Sequence, residues 1–179
     1  MAEKEMFEVL DENGVFTNEI IARDDCHKNG LWHRAVVVFV INSKKEVLLQ
    51  QRSANKKMWP NLWDITAGGH VLEGEFGYQS VIRETKEEIG LEIKQNDLLY
   101  IGSTISKNVK GDIIDNHFND YFIVNQEVDV TALELQEEEV QDIKWFDKDE
   151  VIRRIQNNYD GLTTKIGLWE YLERYLKAL

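Results

Sequence analysis

Residues 69–91 read GHVLEGEFGYQSVIRETKEEIGL, and the fold of the chain turns on how that run is spaced. At roughly 100° per residue, Glu84, Glu87 and Glu88 fall within one arc of a helix. Val81, Ile82, Thr85 and Ile89 fall within the neighbouring arc and can face a core. Gly90 comes next, where the left-handed conformation that ends a helix suits glycine. The spacing therefore predicts an amphipathic helix over about residues 77–89 that gathers three carboxylates. Like charges at i and i+4 repel, by a few tenths of a kcal/mol per pair. An acidic face of this kind is often merely solvated, but it is also what a hard divalent cation needs. Magnesium takes oxygen ligands in octahedral geometry and shares them with waters and substrate phosphates.

Outward from that helix the pattern alternates between strands and helices. Segments 7–10 and 15–22 flank an Asn13-Gly14 turn and predict an N-terminal hairpin. Residues 33–41, HRAVVVFVI, form a β-branched run that reads as a strand buried on both faces. Residues 47–51 read as its neighbour across a polar turn. Residues 62–66 read as a short strand leading into Ala67-Gly68-Gly69. Strands are further expected at 98–106, 117–124 and 143–146. Asp147 predicts the cap of a helix reaching about Asn157, and Thr163 the cap of another near the end of the chain. The expected fold is α/β, a layered α/β/α sandwich with a mixed sheet and an N-terminal hairpin.

The chain has 179 residues, which predicts one domain over 1–179 with a substantial core. Its apolar content of 42% and charged content of 30% are those of a globular protein. No apolar run reaches the length of a membrane span, and the opening MAEKEMFEVL is too charged for a signal peptide. Cys26 is the only cysteine, so no intrachain disulfide can form and a cytoplasmic location is expected. The thiol has little beside it in sequence, apart from His27, to make it reactive. A net charge of −12 argues against broad nucleic-acid binding, which depends on releasing phosphate counterions. It does not exclude a small anionic substrate, because a bound cation inverts the local sign.

The stretch 69–91 resembles the Nudix box, G-x5-E-x7-R-E-U-x-E-E-x-G-U, where U is aliphatic. Seven fixed positions match: Gly69, Glu75, Arg83, Glu84, Glu87, Glu88 and Gly90. At an average usage of about 6% per residue, a chance match at one start point has odds on the order of 10⁻⁸. Thr85 stands where the pattern prefers an aliphatic residue, and it keeps the β-branched shape. The resemblance implies a MutT-like pyrophosphohydrolase, using magnesium or manganese, that cleaves a nucleoside diphosphate linked to another moiety by water attack at phosphorus. It implies that Glu84, Glu87 and Glu88, with the backbone carbonyl near Gly68, hold the metal. It implies that Arg83 orients the glutamates and that Glu75 supports the loop. The general base is either a box glutamate or one on a later loop. The run Glu137-Glu138-Glu139 supplies the second kind, with Glu139 as the candidate, although such a run is also an ordinary solvated loop.

A second resemblance covers residues 48–70, LLQQRSANKKMWPNLWDITAGGH. It is similar to the corresponding segment of isopentenyl-diphosphate isomerases, which share the Nudix fold. That likeness implies diphosphate contacts from Arg52 and Lys56, a fork and a point charge respectively. His33 and His70 match positions of the isomerase metal site, while imidazoles at strand starts are more often simply hydrogen-bonded. The isomerase's catalytic cysteine is replaced by Gly68, and its later catalytic glutamate position falls at His117. Hydrolysis is therefore the expected chemistry, with isomerisation or a non-catalytic binding module as alternatives. Trp32, Trp59, Trp63 and Phe118 could stack on a base, though aromatic residues are more often core. A homodimer through the N-terminal hairpin is a further expectation.

Overall fold

The computed structural model describes residues 4–163 and 166–179. The N-terminal hairpin is present as β1 (Met6–Leu10) and β2 (Phe16–Ala22), paired antiparallel. Gly14 turns the chain at φ 80°. The Asp11 carboxylate accepts from the backbone N–H groups of Asn13 and Val15 at 2.8 and 2.9 Å, which holds the loop. A short helix, α1 (Arg23–Asn29), follows, although nothing in the patterning announces it. It buries only Cys26 and therefore carries no apolar stripe.

The central strand is β3 (Trp32–Ile41). Its Val38, Phe39 and Val40 are completely buried, so both of its faces are covered. β3 pairs antiparallel with β4 (Glu46–Arg52) on one side and parallel with β8 (Ile113–Asn125) on the other. β8 forms a long hairpin with β7 (Leu98–Lys110), and β9 (Val140–Asp147) lies against β4. The strand expected at 62–66 shortens to β5 (Trp63–Asp64), and the residues it leads into form a separate strand, β6 (Ala67–His70). β5 pairs with β4, whereas β6 pairs with β3. Thr66 stands at the change of partner. Its hydroxyl donates to the Leu48 carbonyl on β4 and accepts from the Val40 N–H on β3 at 2.9 Å.

Alternation along β3 sorts the core into two layers. Val36, Val38 and Val40 pack with Val81 and Ile89 of α2 (Gly77–Ile89). Val37, Phe39 and Ile41 pack with Val151 and Ile155 of α3 (Lys148–Gln156) and with Leu168, Trp169, Leu172 and Leu176 of α4 (Ile166–Ala178). Each fully buried side chain of this size contributes about 1.5–3 kcal/mol of hydrophobic stabilisation. The result is the expected α/β/α sandwich around a mixed sheet of nine strands. Asp147 caps α3 by accepting from the N–H groups of Asp149 and Glu150. The start expected for the last helix involves residues 164–165, outside the described residues. The Thr163 hydroxyl itself donates to the buried Asp64 carboxylate at 3.1 Å. Among the described residues, no helix is long and apolar enough to cross a membrane.

Candidate active site

The helix α2 ends as its sequence predicts. Gly90 takes φ 69°, and its N–H returns to the Lys86 and Thr85 carbonyls. The opposite requirement, close approach, governs Gly69. A Cβ there would lie 2.2 Å from Oε1 of Glu84, so a side chain at this position would displace the Glu84 carboxylate from β6. At Gly68 an added Cβ would lie 2.4 Å from the Val36 carbonyl oxygen. This backbone therefore has no room for a side chain where the isomerases carry cysteine.

Arg83 is the organiser of the cluster. Its Nε and Nη2 donate to the two oxygens of Glu75 at 2.9 and 3.0 Å, a bidentate pair. Nη1 donates to Glu84 at 2.8 Å and to Glu87 at 3.1 Å, and Nη2 also reaches the His70 carbonyl at 3.0 Å. Glu75 further accepts from the Ser80 hydroxyl at 2.6 Å and the Leu72 N–H at 3.2 Å. Burial raises the proton affinity of Glu75, but the Arg83 and Ser80 hydrogen bonds outweigh it, and Glu75 sits below its ordinary carboxylate range. Burial also works against the Arg83 charge, and the Glu75 and Glu84 carboxylates more than reverse that.

Glu84 and Glu88 lie on the other side of the balance. Burial raises Glu84 above the usual carboxylate range despite Arg83. Glu88 is buried, and burial together with the Glu84 charge pushes it up to about 8. Its Oε2 accepts from the Gln50 amide at 3.0 Å and the Gly68 N–H at 3.3 Å, both neutral donors. Glu87, by contrast, is more than half exposed. The region is thus a carboxylate cluster in which Arg83 serves Glu75, Glu84 and Glu87, while Glu88 is held by neutral donors.

The later acidic loop is tied by its backbone to the end of α2. Gln136 N–H donates to the Glu88 carbonyl at 2.9 Å, and Glu139 N–H donates to the Gln136 carbonyl at 2.8 Å. Glu137 and Glu138 are exposed, whereas Glu139 is half-buried, and its charge is among those that raise Glu88. The Glu139 carboxylate forms an ion pair with Lys56. Arg52 is differently engaged. Its Nη1 donates to the fully buried Asp64 at 3.1 Å and its Nε to the Met58 carbonyl at 3.1 Å. Trp63 is core, packed edge-on against Phe146, while Trp32 tilts against Phe118.

A second cluster lies on the opposite face of β6. His27 of α1, His33 of β3, His70 of β6 and Asp115 of β8 each offer a ligand atom, and these atoms all lie within 4.8 Å of one another. Asp115 Oδ1 is 3.3 Å from His33 Nε2, 3.5 Å from His27 Nε2 and 3.8 Å from His70 Nε2. His117 Nδ1 approaches the same oxygen at 3.1 Å. The Nε2 atoms of His27 and His33 are buried and satisfy no hydrogen-bond geometry. His33 Nδ1 faces the Leu31 carbonyl at 3.1 Å, which leaves the unpartnered Nε2 aimed into the cluster. Burial favours the neutral form of His27 and brings His70 down to about 3. Asp115 is held well below the ordinary carboxylate range, because the surrounding imidazoles, His117 first, overcome its burial. Imidazoles around a carboxylate form a donor set for a borderline divalent metal. His33 and His70 stand out in the sequence, but His27, Asp115 and His117 do not. The faint signal was D-x-H at 115–117, two side chains on one face of a strand. Cys26 is buried beside them and pushed up to about 12 by burial and by Asp115, an inert thiol.

The NUDIX domain family matches residues 31–165. The chain is 35% identical over 155 residues to Nudix hydrolase 3 of Arabidopsis thaliana, which covers 84% of this chain and 20% of that longer protein. It is 33% identical to an uncharacterized Nudix hydrolase of Listeria innocua, covering 82% of each. It is also 30% identical to isopentenyl-diphosphate Delta-isomerase of Escherichia coli, over 70% of this chain and 67% of that one. Among solved structures, DR0079 from Deinococcus radiodurans superposes with a TM-score of 0.71 at 20% identity, over 95% of this chain and 98% of that one. That likeness shows the same fold.

Proposed function

This chain belongs to the NUDIX domain family of hydrolases acting on phosphoric anhydride bonds, and on that premise we propose a metal-dependent pyrophosphohydrolase for a nucleoside diphosphate linked to another moiety. The observation that carries the reading is the carboxylate cluster of α2. Glu84, partly buried, and Glu88, buried, are held together against Gly68 and Gly69. A merely solvated acidic face would leave its carboxylates in water, whereas here burial and mutual repulsion raise both, a cost that a bound cation would relieve. The donor set is all oxygen, which fits magnesium, with manganese as the alternative. Glu84, Glu87, Glu88 and the backbone at Gly68 are the assigned ligands. The bound cation would neutralise the diphosphate and acidify a water.

The protein's own groups do the rest. Arg83 fixes Glu84 and Glu87 relative to Glu75 and so acts through the carboxylates. Lys56 meets the diphosphate oxygens as a point charge. Glu139 takes a proton from the attacking water as general base, the water oxygen bonds to phosphorus, and the anhydride P–O bond breaks onto the leaving phosphate. Arg52 shapes this corner through Asp64 rather than by reaching outward. The isomerase alternative loses support from Gly68, whose position has no room for a thiol. A binding module would have no need for the whole box, and all seven fixed positions are kept. We read residues 1–179 as one domain, acting in the cytoplasm on a small molecule, with no nucleic acid or membrane as partner and with the hairpin as a dimer contact. The histidine cluster fits a second, softer cation. A screen of dinucleotides, nucleoside diphosphates and triphosphates, nucleotide sugars and prenyl diphosphates tests the assignment. Magnesium-dependent release of phosphate or a nucleoside monophosphate is expected, and silence across the panel would count against it.

A further inference from the structure

We propose that the Lys56–Glu139 ion pair is a latch that the substrate's diphosphate opens, releasing the Glu139 carboxylate only when substrate is in place. This rests on the hydrolase reading above. The backbone fixes both halves of the latch. Ser53 N–H donates to the Glu139 carbonyl at 2.9 Å and Lys56 N–H to the Ser53 carbonyl at 3.1 Å, so the lysine loop and the glutamate loop are stitched together. The glutamate loop is in turn tied to the last turn of α2 through Gln136 and the Glu88 carbonyl. Only the side chains are left to move.

Their access to solvent favours movement. The Lys56 and Glu139 side chains are 26% and 34% accessible, so water can solvate both as they part. Arg52 is the contrast, because its partner Asp64 is fully buried and an ion pair broken there is costly. An arriving diphosphate offers the Lys56 ammonium denser negative charge than one carboxylate does, and charge-assisted bonds to phosphate are strong. Once the ammonium turns to the phosphate, Glu139 loses its partner while gaining anionic neighbours. In the ion pair the ammonium occupies the carboxylate oxygen that a water would use, and its departure opens that oxygen to a water O–H. The Glu139 carboxylate is therefore engaged in the free protein and accessible in the complex.

Carbodiimide cross-linking reads the latch directly, since it joins a paired lysine and carboxylate as an amide. The wild-type protein with magnesium should give a Lys56–Glu139 cross-linked peptide. Methylenediphosphonate, an uncleavable diphosphate, should suppress it at least about fivefold at concentrations that inhibit turnover, a competition of ordinary binding strength. The Lys177–Glu173 pair on α4 serves as the internal reference and should not change. Lys56→Met should raise KM about tenfold with a smaller change in kcat, and Lys56→Arg should recover most of it. A cross-link that never forms, or that persists undiminished under inhibition, overturns the latch. So does a diphosphonate that fails to compete, or a Lys56→Met variant with unchanged KM. Full turnover in Glu139→Gln is a separate failure, because it removes the base assignment while leaving Lys56 as a phosphate contact.

Discussion

Two clusters of ionisable groups sit back to back across β6, and they solve opposite problems. On the α2 face, Glu84, Glu87 and Glu88 crowd negative charge around glycines. On the α1 face, His27, His33, His70 and His117 surround the single carboxylate Asp115. His70 belongs to both, its carbonyl accepting from Arg83 and its ring facing Asp115. The first set suits a hard cation that exchanges with waters and phosphate, the second a borderline one held by nitrogen. The difference teaches that burial acts on the two sets with opposite sign. It pushes Glu88 up to about 8 and His70 down to about 3, so in each set burial favours the uncharged form of the group it covers most deeply.

The largest expected effect separates the faces by activity. Glu88→Gln or Glu87→Gln should lower kcat by at least about a hundredfold with magnesium, because each replaces an anionic ligand by a neutral one. Steady-state kinetics with folding checked by circular dichroism decides this, and near-full turnover in either variant would remove the metal assignment. Arg83→Ala should cost roughly 10- to 100-fold, the range for partners that orient ligands, and kcat should fall more than KM rises. A change confined to KM would instead make Arg83 a substrate contact. On the other face, zinc should raise the Tm of the wild type, and His33→Ala should abolish that rise. A zinc titration that shifts both proteins equally would dismiss the cluster as a metal site.

The smallest expected effect is a pH dependence of stability without metal. Glu88 is raised in the folded state, so its contribution is fully present below the unfolded carboxylate value and is lost as pH rises through about 8. Glu84 is raised as well and works in the same direction. His70 is lowered and its contribution runs the other way, so the readout is the difference between the wild type and Glu88→Gln, whose amide does not titrate. Relative to that variant, the metal-free wild type should lose Tm as pH rises from about 5 to about 8. A Tm difference between the two proteins that stays constant over the interval would show that the Glu88 carboxyl does not titrate there.

The α2 face was legible because its information is local. One helical period places Glu84, Glu87 and Glu88 on a common arc, and Gly90 marks the end of the helix. Strand β3 was legible for a related reason, since a continuous β-branched run admits a strand covered on both sides. The α1 face was mostly illegible because its members come from distant elements. Only the parallel register of β3 with β8, which sets His33 opposite His117, brings residues 33 and 117 together. Helix α1, which supplies His27, is seven residues long with one buried side chain, too little to leave a periodic trace. Arg52 shows a further limit. Its basic loop suggests a phosphate contact, but the partner that claims it, Asp64, lies on a strand whose burial no local pattern reveals. The split of β5 from β6 has the same origin, since Thr66 bonds to two strands far from it in sequence.

The most direct test of the central claim follows where oxygen goes. The protein is incubated with magnesium, a panel of nucleoside diphosphate derivatives and isopentenyl diphosphate in water enriched in oxygen-18, and the products are read by phosphorus NMR. A hydrolytic centre built on Glu84, Glu87 and Glu88 predicts metal-dependent anhydride cleavage of at least one nucleotide, with one heavy oxygen on a product phosphate and isopentenyl diphosphate unchanged. Conversion of isopentenyl diphosphate to its allylic isomer, with every nucleotide intact, would contradict it.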